Sequence, residues 1–128
     1  MTIFRSSAAP GRPADPKTFS GPVATALLAS SDDDASVHVY RVEFQDGGRT
    51  NWHRHSGPQW LFIVAGRIKV QSGDEPTQEL HTGDAVVFAP GERHWHGAAP
   101  GASGTHLTVN INVKTDWLEP VTDEQYRR

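Results

Sequence analysis

Cysteine is missing from all 128 residues, which excludes disulfides and thiolate metal sites and leaves only nitrogen and oxygen donors for any metal. Charge is modest and dispersed: 12 Lys and Arg against 15 Asp and Glu give a net charge of -3, with no basic cluster to hold nucleic acid. Long hydrophobic runs are absent too. None approaches the ~18 residues needed to span a bilayer, so no membrane partner is expected. The opening MTIFRSSAAP lacks the apolar core of a secretory signal, and a cytoplasmic location is the expectation. A chain of this size fits one domain over 1–128, with a core that takes roughly two thirds of the unfolded surface out of water.

Helical periodicity is nearly absent as well. From Val23 to about Thr115 the chain falls into short apolar runs, VATALL, VHVYRVEF, RTNWHRH, QWLFIVAG, RIKVQ, AVVFAP, RHWHGA and THLTVNINV. Turn residues part them at Asp46-Gly47-Gly48, Ser56-Gly57-Pro58, Ser72-Gly73-Asp74, Thr82-Gly83-Asp84 and Pro90-Gly91. This rhythm predicts an all-β antiparallel sandwich or barrel over 20–115. Residues 1–18 contain AAPGRPADP, whose three prolines favour an extended arm over a packed strand. In the tail, 116–128, Thr122-Asp123-Glu124-Gln125 has the form of a capping box and predicts one short turn of helix. The run THLTVNINV alternates strictly, with Leu107, Val109, Ile111 and Val113 on one face and His106, Thr108, Asn110 and Asn112 on the other. Pattern alone favours water for the polar face. By contrast, QWLFIVA is apolar on both faces and calls for cover on both.

What the chain does contain is seven histidines, four of them in two H-x-H pairs. In a strand, His53 and His55 share a face with α-carbons roughly 7 Å apart, so both can approach one ion while Arg54 points away. The Ser56-Gly57-Pro58 break can reverse the chain and bring Gln59 back to the same point. A third imidazole has to come from elsewhere, and either His94 or His96, on the strand after Pro90-Gly91, is a candidate. One H-x-H is weak evidence; two in an all-β chain are much stronger.

At this point the residues resemble a known family. Gly47, His53, His55, Gln59 and Gly66 fit the spacing of the first cupin motif, with Gln59 where most cupins have Glu, and Gly83-Asp84 through Pro90-Gly91 to His94 looks like the second, with one extra residue before the proline. That resemblance implies a cupin double-stranded β-helix, or jelly-roll, barrel. PGERHWHGAAP, PADPKTFSG and VTDEQYRR look further like the small single-domain bacterial cupins that act as manganese-dependent hydroxynitrile lyases. By this likeness His53, His55, Gln59 and His94 would be the metal ligands, and His96 and His106 would lie in the pocket beside the metal, with His106 facing inward. Tyr40 stands where a small residue is expected and Asn110 where a glutamine is expected.

Three neutral imidazoles and an amide leave a divalent ion its full charge, and open coordination positions let it act on a substrate. Mn(II) is the expected ion, with Fe(II), Ni(II), Co(II) and Zn(II) also suited. The reaction implied is reversible cleavage of a cyanohydrin to a carbonyl compound and cyanide. His106 would be base or shuttle, His96 its partner or the proton donor to cyanide, and Asn110 would orient substrate. Tyr40, Val42, Phe44, Leu61 and Ile63 are the candidate pocket lining, although such residues are more often core, the reading preferred for Leu61 and Ile63. A cupin dioxygenase, an oxidative alkene-cleaving enzyme and a non-catalytic small-molecule binder are the competing classes. Trp60, Phe62 and Val64, on the strand face opposite Gln59, Leu61 and Ile63, need cover, which predicts a homodimer or homotetramer.

Overall fold

The computed structural model describes residues 1–128. Its strands are β1 (Arg12–Pro13), β2 (Phe19–Ser20), β3 (Val23–Ser31), β4 (Val37–Phe44), β5 (Arg49–Thr50), β6 (His53–His55), β7 (Gln59–Ser72), β8 (Gln78–His81), β9 (Ala85–Phe88), β10 (His94–Ala98), β11 (Gly104–Ile111) and β12 (Thr115–Trp117), followed by one helix, α1 (Asp123–Arg127). All strand pairs are antiparallel. The main path runs β1-β3-β4-β11-β7-β10-β5-β2, while β6 joins β10 to β12, and β8 and β9 both pair with β7.

The long strand β7 makes the sheet curl. The sequence suggests two runs here, QWLFIVAG and RIKVQ, but they form one strand that serves two halves of the sheet. Its first half pairs with β11 and β9, its second with β10 and β8. The bend between them sits at Gly66, with φ 64°, where an added Cβ would strike the Ser103 carbonyl oxygen. A side chain is therefore excluded on two counts.

Between the two halves lies the core, Val23, Val42, Phe44, Leu61, Ile63, Ile68, Val70, Phe88 and Ala98, all buried. A second cluster, Trp52, Trp95, Val121 and Tyr126, fixes the C-terminal segment to the outside of the sheet. The expected capping box is present, with Thr122 accepting from the Gln125 backbone and the Gln125 side chain accepting from the Thr122 backbone.

Three sequence expectations change. Residues 1–18 do not run wholly free as an extended arm: Arg12–Pro13 pairs with Ala24 and Thr25 as an edge strand, and Ser6–Ala8 forms a 3-10 turn. Proline is tolerated there because an edge strand leaves one row of N–H groups unpaired. RTNWHRH is interrupted at Asn51 and Trp52, giving β5 and β6 instead of one strand. Most informatively, β11 turns its polar face inward, against the preference of pattern alone and as the resemblance to cupins implied. His106 and Thr108 are buried, while Ile111 on the apolar face is 44% exposed. Inside, those polar side chains bond to one another and to His96, so burial does not leave them unpaired.

Candidate metal centre

Period-two geometry places the histidines. On β6, His53 and His55 point inward and Arg54 outward, where its Nε lies 2.8 Å from an Asp116 carboxylate oxygen. On β10, His94 and His96 point inward and Trp95 outward into the second cluster. β6 and β10 are neighbours with His94 opposite His53, so the two H-x-H pairs meet. The ring of His53 lies 4.3 Å from that of His94, 5.1 Å from that of His55 and 5.1 Å from that of His96. Gln59 opens β7 with its amide oxygen 2.9 Å from His94 Nε2.

Hydrogen bonds select the tautomers. Nδ1 of His53 donates to the Asn51 carbonyl and Nδ1 of His94 to the Glu92 carbonyl, both at 2.8 Å. Each ring is thereby left with a lone pair on Nε2. The lone pair of His94 Nε2 then faces the Gln59 carbonyl oxygen, another acceptor, while the Gln59 amide nitrogen lies 3.4 Å from Asn110 Oδ1. Two acceptors converging on one point suit a cation between them, and two ligands at right angles on an ion ~2.1 Å away would also stand about 3 Å apart. His55 tells the same story. Its Nδ1 contacts Thr115 Oγ1 at 2.9 Å, and its buried Nε2 has no partner. These residues fit a divalent ion.

Electrostatics agrees with donor chemistry. His53 and His96 are pushed well below the usual imidazole range, His94 to about 4 and His106 to about 3, in every case chiefly because burial disfavours the charged ring. His55 is lowered for the same reason. Five neutral imidazoles in one place can donate electron pairs but cannot themselves supply positive charge. Phe88 stacks on His94 at 3.7 Å and 11°, fixing the plane of that ring.

The nitrogen atoms of His53, His94 and His96 lie within 4.8 Å of one another, so the tightest trio includes His96 where the resemblance put His55. His55 and Gln59 line the same cavity, of about 300 Å³, together with His53 and His96. Tyr40, Val42 and Asn110 line it as expected. Phe44, Leu61 and Ile63 do not; they are packed in the core, with Phe44 5.3 Å from the His106 ring. His106 is fully buried behind His96, with its Nε2 2.9 Å from His96 Nδ1, and its Nδ1 lies 3.1 Å from Thr108 Oγ1. The far ring nitrogen of His96 is buried without a partner. Sequence reasoning missed Phe19, Thr25, Thr50, Thr108, Thr115 and Trp117 in the lining. Thr108 was legible as a face-mate of His106; Thr115 and Trp117 carry no signal until β12 is known to pair with β6.

A profile of the cupin domain matches residues 40–110, which span every one of the histidines just described. The chain belongs to the cupin family. This cupin is 44% identical over 113 residues, 86% of each chain, to an (R)-mandelonitrile lyase of Granulicella tundricola. Its fold superposes on a cupin-like protein of Thermotoga maritima with a TM-score of 0.87 and 34% identity over 91% of both chains. A polyketide cyclase of Streptomyces resistomycificus shares the fold alone, at a TM-score of 0.73 and 18% identity over 98% of this chain and 90% of that one.

Proposed function

We propose that this cupin is a hydroxynitrile lyase, a metal-dependent carbon-carbon lyase that reversibly splits a cyanohydrin such as mandelonitrile into an aldehyde or ketone and cyanide. The observation that carries this reading is the hydrogen-bonded string Thr108, His106, His96, whose two end residues line one cavity beside the histidine cluster. Cyanohydrin cleavage removes a proton from oxygen while the departing cyanide takes one up, so the site must accept at one point and donate at another. The string does both. Thr108 accepts the hydroxyl proton and passes its own to His106 Nδ1; His106 gives its Nε2 proton to His96 Nδ1; His96 releases its Nε2 proton to cyanide. The two imidazoles exchange tautomers and neither becomes charged, which suits a site where burial disfavours imidazolium. Asn110 orients the substrate oxygen, and Tyr40 and Val42 bound the space.

His53, His55, His94 and Gln59 would hold the divalent ion, with manganese(II) the first to test. Bound there, the ion supplies undiminished positive charge against the anionic oxygen or cyanide that develops, because no ligand is anionic. The converging acceptors of His94 and Gln59 support placing both in this set; His55 Nε2 and His96 Nε2 are equally without partners, and His96 is left out because the proton string needs a proton on its Nε2. A second copy of the chain would cover the outer sheet face, where Trp60, Phe62, Val64 and Val87 stay 42–46% exposed, giving a homodimer or homotetramer.

The test is elemental analysis of protein purified without added metal, followed by mandelonitrile assays with and without oxygen. Metal near one equivalent and equal cyanide release in both atmospheres are expected. Oxygen consumption with an aromatic substrate, and mandelonitrile left intact, would overturn the lyase in favour of a dioxygenase.

A further inference from the structure

The rim of the cavity is built from sequence-distant ends of the chain. β2 supplies Phe19 and β12 supplies Trp117, and the two rings meet at 5.8 Å with a tilt of 52°. Trp117 lines the cavity and lies 4.7 Å from the His53 ring, yet it keeps 39% of its surface exposed. By contrast Trp52, next to His53 in the chain, and Trp95 are 2% and 0% exposed. A tryptophan gains more from burial than any other side chain, so one left half open over a cavity mouth is placed where an apolar ligand completes its cover. The rest of the lining is uncharged, mostly Thr, His and amide side chains, with two apolar additions. Tyr40, held against His38 at 6.2 Å and 16°, and Val42 add apolar surface, and no Asp, Glu, Lys or Arg lines the cavity. A neutral ligand with a flat apolar group matches this surface; a charged one does not.

We propose that Trp117, backed by Phe19, is the platform on which the ring of an aryl-bearing substrate stacks, and that it sets a preference for aryl over alkyl cyanohydrins. The reaction named here rests on the lyase reading, whereas the stacking can be measured without turnover. Fluorine NMR titrations of the purified protein with 4-fluorobenzyl alcohol and with 3,3,3-trifluoropropan-1-ol compare a flat ring with an alkyl chain. Trp117→Ala weakens the aryl probe about tenfold and leaves the alkyl probe within about twofold, and Trp117→Phe recovers most of the loss. With mandelonitrile, the Trp117→Ala loss falls on KM while kcat and bound metal are retained. Unchanged aryl affinity in Trp117→Ala overturns the platform. So does equal weakening of both probes with loss of metal, because Trp117 would then only prop His53. Should no cyanohydrin be cleaved while Trp117→Ala still loses the aryl probe selectively, the platform stands and only the reaction assigned to the site falls.

Discussion

Mild acid should markedly destabilise the metal-stripped protein, because the imidazoles that make the site a good donor set make it a poor proton acceptor. Burial holds His94 at about 4 and His106 at about 3, whereas both return to 6.5 in the unfolded chain. Folded values below unfolded ones mean that, as pH falls below 6.5, the unfolded chain takes up protons the native site refuses. Stability is therefore complete above about 6.5 and declines until each folded value is reached. At pH 5 the imbalance amounts to about 2 kcal/mol for each of these two residues, or about 4 kcal/mol together. His53 and His96, lowered by the same burial, act in the same direction. Against a total stability of roughly 5–15 kcal/mol, that loss is large. Urea unfolding of EDTA-treated protein, followed by far-ultraviolet circular dichroism at pH 7.5 and pH 5.0, measures it. With a slope near ~1.5 kcal/mol/M, the midpoint should drop by about 2–3 M. Saturating manganese should raise the midpoint at pH 7.5, because the ion binds the folded site alone. Coincident curves at the two pH values would refute the reasoning: the imidazoles would then be taking up protons in place, with water reaching them at little cost.

Three further outcomes follow from particular contacts. Thr108→Val keeps the volume but removes the hydroxyl at one end of the proton string; kcat for mandelonitrile should fall about 10- to 100-fold with KM and metal content nearly unchanged, and an unaltered kcat would take Thr108 out of the path. His94→Ala should lose most of the bound metal and activity together, and full occupancy by elemental analysis would remove His94 from the ligand set. Gly66→Ala puts a methyl group against the Ser103 carbonyl at φ 64°, which should cost at least about 2 kcal/mol and lower Tm by roughly 6–10 °C in a calorimetric scan; an unshifted Tm would mean that the bend yields easily.

The histidine pairs were legible because they depend on local geometry alone: a strand of any register puts His53 with His55, and His94 with His96. Their meeting was legible only through the resemblance to cupins, since the pairing of β6 with β10 joins residues about forty apart. The ambiguity of THLTVNINV has a similar cause. Alternation separates one polar face from one apolar face but carries no sign for which is inside, and here the polar face won because His106, Thr108 and His96 satisfy one another. For Leu61 and Ile63, the pattern gave the inward direction but not the depth. Both sit in the core beneath the cavity, among residues such as Phe44 and Phe88. β12 was invisible because TDW is exposed throughout, and its strand geometry comes from its partner β6.

The spacing that turns the histidines inward also explains the tryptophans. Trp52 precedes His53, and Trp95 separates His94 from His96, so each ligand-bearing segment carries a large apolar ring directed away from the cavity. These rings meet at 6.5 Å in the second cluster, under Val121 and Tyr126 of the C-terminal segment. That segment is in turn fixed by buried cations: Arg49 donates to the Val121 carbonyl at 2.7 Å and Lys69 to the Tyr126 carbonyl at 2.6 Å. Trp52 also exchanges backbone hydrogen bonds with Leu118 and Glu119, directly after β12. The chain end therefore braces β6 and β10 from behind and delivers Thr115 and Trp117 to the cavity in front. Imidazoles that would otherwise splay to reach water are held close to one another by packing on the opposite side of the sheet. The donor set is a property of both faces at once, and a mutation in the second cluster should disturb the ligands before it disturbs the core of the half-barrel.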